Sequence, residues 1–121
     1  MHNGFQLVAR IPFTFREPRH LFLASEVATL RYLKTQGIPV PEVYSYSTTA
    51  ENEAETEYVF MELVKGQKLG KLWFDLDEKD TITAVANIVA LEAKLFALEF
   101  PASGSLYYTG DLPAEYDRVE M

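Results

Sequence analysis

Residues 21–36 read LFLASEVATLRYLKTQ, and their spacing predicts a helix with an acid set into its apolar stripe. Leu23, Val27, Leu30 and Leu33 recur at the three- and four-residue intervals that share one helical face, and Gly37 supplies a stop. Glu26 lies one turn from Leu30, with Leu33 beyond, so it falls inside that stripe rather than on the wet face. An ionised carboxylate buried without a partner costs on the order of several kcal/mol, so a cation is expected against it. The alternative is that Glu26, following Ser25, is a first-turn acid facing the helix dipole.

Outward from this helix the pattern changes to strands. Upstream, Asn3-Gly4 has the composition of a two-residue turn, and Phe5 to Ile11 follows with strand-like residues until Pro12. On the alternation of that strand Arg10 points with Gln6 and Val8, opposite Phe5, Leu7, Ala9 and Ile11, toward either solvent or a cleft. Thr14 to His20 reads as a basic, proline-containing loop. Downstream, Ile38-Pro39-Val40-Pro41 is held extended because residues before proline avoid the helical region. Val43 to Ser47 suggests a short strand, Thr48 to Glu57 a polar hairpin loop without apolar anchors, and Tyr58 to Val64 a buried central strand.

After the break at Lys65-Gly66, Gln67 to Leu76 reads as a short helix whose Trp73 suits a core. Asp77 or Asp80 can cap a long helix running to about Leu98. Ile82, Val85, Ala86, Val89, Ala93 and Phe96 form one of its apolar faces, and Ile88, Leu91, Leu95 and Leu98 a second. A helix apolar around most of its circumference expects several packing partners. Phe100 to Pro113 is an aromatic loop, and the last eight residues are acidic and expected to fray.

Composition narrows the function classes. The 121-residue chain is 48% hydrophobic and 24% charged, ordinary values for one folded domain. A formal charge of -7 argues against a nucleic-acid surface or a polybasic membrane anchor. No apolar run approaches the roughly 20 residues of a membrane helix. The absence of cysteine removes disulfides, zinc ribbons and thiol catalysis together, and two histidines, His2 and His20, make no metal cluster or catalytic triad. The Arg-rich opening, with Arg10, Arg16 and Arg19 against Glu17, has the charge of a mitochondrial transit segment, but Pro12 and Pro18 interrupt the amphipathic helix it would need.

Six segments in order carry a family resemblance: Val8-Ala9-Arg10-Ile11-Pro12, Ser25-Glu26-Val27-Ala28-Thr29, Ile38-Pro39-Val40-Pro41-Glu42-Val43-Tyr44, Glu57-Tyr58-Val59-Phe60-Met61-Glu62, Phe100-Pro101-Ala102, and Gly104-Ser105-Leu106-Tyr107-Tyr108 with Asp111-Leu112-Pro113 after it. Together they resemble fungal members of the aminoglycoside-phosphotransferase, kinase-like family, in the group named for altered inheritance of mitochondria. The resemblance implies an α+β fold. Residues 1–66 would be a truncated kinase-like small lobe (an antiparallel sheet plus one helix), 67–113 the start of the large lobe, and 114–121 an acidic tail. It further implies that Arg10 stands where the family's phosphate-holding cation stands, usually a lysine, and that Glu26 is its helix partner. Met61-Glu62-Leu63-Val64 resembles a hinge in which the Glu62 carbonyl and the Val64 amide meet an adenine edge, although a strand ending in a turn at Gly66 explains the same residues.

Phosphoryl transfer in such enzymes also needs a glycine-rich loop, a catalytic-loop aspartate with a following asparagine, and a metal-binding aspartate. Thr109-Gly110-Asp111 imitates the catalytic His-Gly-Asp, yet five positions after Asp111 comes Tyr116 rather than asparagine. The chain is therefore expected to be inactive as given, with no catalytic and no metal-ligating residue. Three readings stay open: a truncated phosphotransferase, whose family uses ATP and Mg²⁺ on a small-molecule hydroxyl; a non-catalytic module that binds itself or a protein partner through the exposed face of the 80–98 helix; and weak nucleotide binding resting on Arg10. Neither nucleic acid nor membrane is an expected partner, and a mitochondrial location follows from the resemblance alone, with the cytoplasm otherwise.

Overall fold

The computed structural model describes residues 6–11, 19–53 and 56–121. They fall into two units: Met1–Leu63 together with Pro101–Met121, and Val64–Phe100. The expected Asn3-Gly4 turn, Phe5, Pro12 and most of the Thr14–His20 loop lie outside the described residues.

The first unit is a three-stranded antiparallel sheet, β1 (Leu7–Arg10), β2 (Val43–Ser47) and β3 (Tyr58–Glu62), in the order β1-β3-β2, with one long helix, α1 (Arg19–Thr35). The α1 helix starts two residues earlier than its apolar spacing suggested. Its end is built from backbone geometry. Gly37 takes φ 77°, a left-handed conformation that suits glycine, and turns the chain so that the Gly37 N–H donates to the Lys34 carbonyl and the Ile38 N–H to the Leu33 carbonyl.

The α1 stripe provides half of the core. Leu23 and Val27 bury against Val43 of β2 and Val59 of β3, and Leu30, Tyr46 and Met61 pack around them. The YVFMELV stretch does form the central strand, but it is covered on one face. Val59 is wholly buried while Tyr58, Phe60, Met61 and Glu62 are half exposed. The strand also stops earlier than its composition suggests, because the ladder ends at Glu62; Leu63 and Val64 run on into solvent, at 39% and 63% exposure. A bulge between Val43 and Ser45 shifts the register at Tyr44, which is exposed. The β2–β3 loop has a polar anchor in place of an apolar one: the Asn52 amide reaches the Ser47 hydroxyl and the Thr49 and Thr56 carbonyls, and Glu57 at its end is buried.

The second unit holds the helix expected over Gln67–Leu76, shortened into α2 (Leu69–Leu72) and a 3-10 turn (Trp73–Asp75), with Trp73 half exposed rather than in a core. The long helix α3 spans Glu78–Phe96, and of its two candidate caps Asp77 is the one used: its Oδ1 accepts from the Asp80 N–H at 2.7 Å. No α3 residue is buried, and its apolar residues reach 62% exposure at Ile82 and 87% at Phe96.

The residues after Phe100 group with the sheet unit rather than with α3. They include a second 3-10 turn, Thr109–Asp111. The tail is drawn back in part, for the Arg118 guanidinium donates to the Leu112 and Pro113 carbonyls.

These placements predict two very different costs. Leu23→Ala should remove about 2–5 kcal/mol of stability, the usual range for a buried leucine. Asp77→Ala should remove about 1 kcal/mol, the usual worth of a helix cap, and reduce the helical signal of α3. Urea unfolding followed by circular dichroism separates the two.

Candidate functional site

β1 and α1 bring Arg10 and Glu26 together. Arg10 ends β1 and lies opposite Val59 in the antiparallel register, so it shares the face of the sheet that α1 covers. Glu26 precedes Val27, which is fully buried on that same face. The result is an ion pair of 2.6 Å between Arg10 Nη1 and Glu26 Oε1. Glu26 stands well inside α1, whose first turn contains no acid, so the first-turn capping role is excluded. The carboxylate side chain is 28% exposed and the guanidinium side chain 61%. Glu26 therefore anchors a cation whose remaining donors still face outward. Guanidinium presents five N–H donors in a planar fork, and one contact through Nη1 leaves others free in direction to meet an oxyanion.

Glu62 ends β3 with its side chain engaged. Its N–H donates to the Glu42 carbonyl at 2.8 Å, and its Oε1 accepts from the Glu42 N–H at 3.2 Å. The carboxylate thus extends the β2–β3 ladder by standing in for a backbone carbonyl. Val64, the other residue of the expected adenine contact, begins the second unit.

A second constellation escaped the sequence reading. Tyr46 of β2 donates its hydroxyl hydrogen bond to Asp111 Oδ2 at 2.9 Å, across 65 positions of chain. The Arg31 guanidinium of α1 sits 5.1 Å from the centre of the Tyr46 ring and 6.0 Å from that of Tyr108. Asp111, the acid of the Thr-Gly-Asp imitation, is thus an acceptor for a tyrosine. The one available signal was its placement three positions after the paired tyrosines Tyr107 and Tyr108. Burial first, then the hydrogen bond and the charge of Asp111, push the Tyr46 hydroxyl above its ordinary range, with Tyr108 adding to the rise and Arg31 opposing it. Among the described residues no group of three or more histidines, cysteines, aspartates or glutamates is placed to hold a metal ion, and no helix is long and apolar enough to cross a membrane.

A sheet and helix joined by a cation–glutamate pair are the arrangement expected of a kinase-like α+β fold. Sequence comparison agrees: the profile of the phosphotransferase enzyme family matches residues 2–120, and the chain belongs to that family. It is 44% identical over 111 residues to a subtelomeric hrmA-associated cluster protein of Aspergillus fumigatus, a match covering 91% of this chain and 22% of that protein. It is 31% identical over 121 residues to the altered inheritance of mitochondria protein 9, mitochondrial, of Scheffersomyces stipitis, covering 93% of this chain and 19% of that protein. The protein of the same name in Kluyveromyces lactis is 34% identical over 116 residues, with 86% and 19% covered. The chain thus spans about a fifth of the length of these relatives. No solved structure matches it.

The raised Tyr46 value carries a sign. A hydroxyl whose ionisation is pushed up on folding stabilises the folded chain fully below its unfolded value of about 10 and loses that contribution as pH rises through the folded value. The stability gap between the protein and its Tyr46→Phe variant should therefore be largest near neutral pH and shrink above about pH 10. Urea midpoints measured at neutral and at alkaline pH check this.

Proposed function

We propose that this chain forms the nucleotide-facing part of an ATP-dependent phosphotransferase acting on a small-molecule hydroxyl, and that Arg10 is its phosphate-binding cation. The observation that carries this reading is the Arg10–Glu26 pair, fixed on one side by α1 and still 61% exposed at the guanidinium. A freely rotating surface arginine would lose side-chain entropy on gripping a ligand; one already tethered loses less. ATP fits this cation through its α- and β-phosphates, with the adenine meeting the backbone carbonyl of Glu62. Among the described residues no group of three or more histidines, cysteines, aspartates or glutamates is placed to hold Mg²⁺.

Phosphoryl transfer itself is assigned to residues other than those described. The Thr-Gly-Asp turn lacks the histidine and the following asparagine, and its aspartate is engaged by Tyr46. Taken alone, the 121 residues should bind nucleotide weakly and not turn it over. The mitochondrial names of several relatives support a mitochondrial location.

Three isothermal titrations test the nucleotide reading, with ATP, ADP and adenosine as probes. ATP and ADP should bind more tightly than adenosine, and Arg10→Ala should erase that difference while leaving adenosine unchanged. Because Glu26 is only 28% exposed, the same substitution should cost some stability as well, and circular dichroism run beside each titration tells lost binding from lost folding. Equal ATP affinity in both proteins, or sustained ATP turnover by the isolated chain, would overturn the proposal.

A second reading is favoured by the wholly unburied α3: a non-catalytic module that associates through the apolar residues of that helix. Light scattering on a sizing column tests it, and a monodisperse monomer at high concentration argues against it.

A further inference from the structure

We infer that Tyr46, Arg31, Tyr108 and Asp111 form a clasp that fastens the segment Pro101–Met121 onto the corner between α1 and β2. The grouping of residues 101–121 with the sheet unit, although α2 and α3 intervene in the chain, calls for a physical cause. Backbone hydrogen bonds of the segment run within it: Asp111 N–H to the Tyr108 carbonyl and Tyr116 N–H to the Pro113 carbonyl, with Arg118 closing onto Leu112 and Pro113. These bonds shape the segment; they do not attach it.

Attachment comes from side chains of three different elements. Arg31, on α1, presents its guanidinium to two rings, one from β2 and one from the segment itself. Tyr46 uses both of its chemistries at once, offering its ring to the cation and its hydroxyl to the Asp111 carboxylate. The cation and the carboxylate thus meet opposite parts of one tyrosine. Each contact is modest on its own, but Tyr46 is shared, so losing its hydroxyl or losing Asp111 removes the same hydrogen bond. Tyr46 also packs against the core cluster, and this fixes the receiving half of the clasp. The segment is the half that is held.

The inference separates fastening from folding. Opening the clasp should free residues 106–118 while the sheet and α1 stay intact. Amide exchange followed by mass spectrometry reads both at once in the 121-residue chain. In Tyr46→Phe and in Asp111→Ala, exchange at the Asp111 and Tyr116 amides should rise roughly tenfold, about what loss of one hydrogen bond to a charged group costs. Exchange at the Glu62 amide, which donates to Glu42, should hold. The double variant should rise no further than either single one, because both delete one bond. Asp111→Asn, which keeps an acceptor oxygen, should restore most of the protection. If Asp111→Ala proves too unstable to study, Tyr46→Phe and Asp111→Asn still decide the matter. Unchanged exchange at Asp111 and Tyr116 in Tyr46→Phe, or a rise spread equally over Glu62, would overturn the clasp.

Discussion

The sealing of Val59 is the constraint from which the first unit follows. A valine at the middle of a three-stranded sheet cannot be covered by the strands themselves, because its side chain stands out of their plane. Something must lie across it, and Leu23 and Val27 of α1 do so. Once α1 is placed, two further positions are fixed without freedom. Arg10 lies across the ladder from Val59, at the margin of the covered face, and Glu26 is the neighbour of Val27. Their 2.6 Å contact is thus a consequence of core packing: the apolar contact sets the distance, and the charges only have to close it. An arrangement made this way is held by the burial of aliphatic surface, which salt does not screen, rather than by the exposed ion pair, which salt does.

Local features of the chain were legible in its residues. The 3–4 spacing of Leu23, Val27, Leu30 and Leu33 marked α1 and its buried side, the run from Tyr58 marked the central strand, and an aspartate before an apolar-periodic stretch marked the start of α3. Glu26 was legible for a different reason: a carboxylate inside an apolar stripe is anomalous, and the anomaly implies a partner. What could not be read depends on contacts between distant parts of the chain. Tyr46 and Asp111 are separated by 65 positions, and neither is out of place in its own segment. The side chain of Glu62 substituting for a carbonyl has no local signature either, since any glutamate at a strand end looks solvated. Strand length was overestimated at Leu63 and Val64 because apolar composition measures the wish to be covered, not the presence of a neighbouring strand.

Glu26 and Glu62 illustrate how one residue type serves two ends. Glu26 neutralises one side of a cation and leaves the remainder outward. Glu62 turns its carboxylate to a backbone N–H, where it completes a ladder and has less to offer a ligand. The distinction rests on what each oxygen touches.

Chirality governs the position of Gly37. At φ 77° its backbone lies in the region that right-handed chemistry disfavours, yet an added methyl group there would meet no atom within 4 Å. Volume is not what reserves the position; handedness is. A mirror-image alanine, introduced by chemical synthesis, would adopt the same φ without backbone strain and would have fewer unfolded conformers to abandon than glycine has. The end of α1, and with it the entry into the Ile38–Pro41 segment, is therefore a place where the fold asks for an amino acid that the ribosome does not supply, and glycine is the nearest substitute.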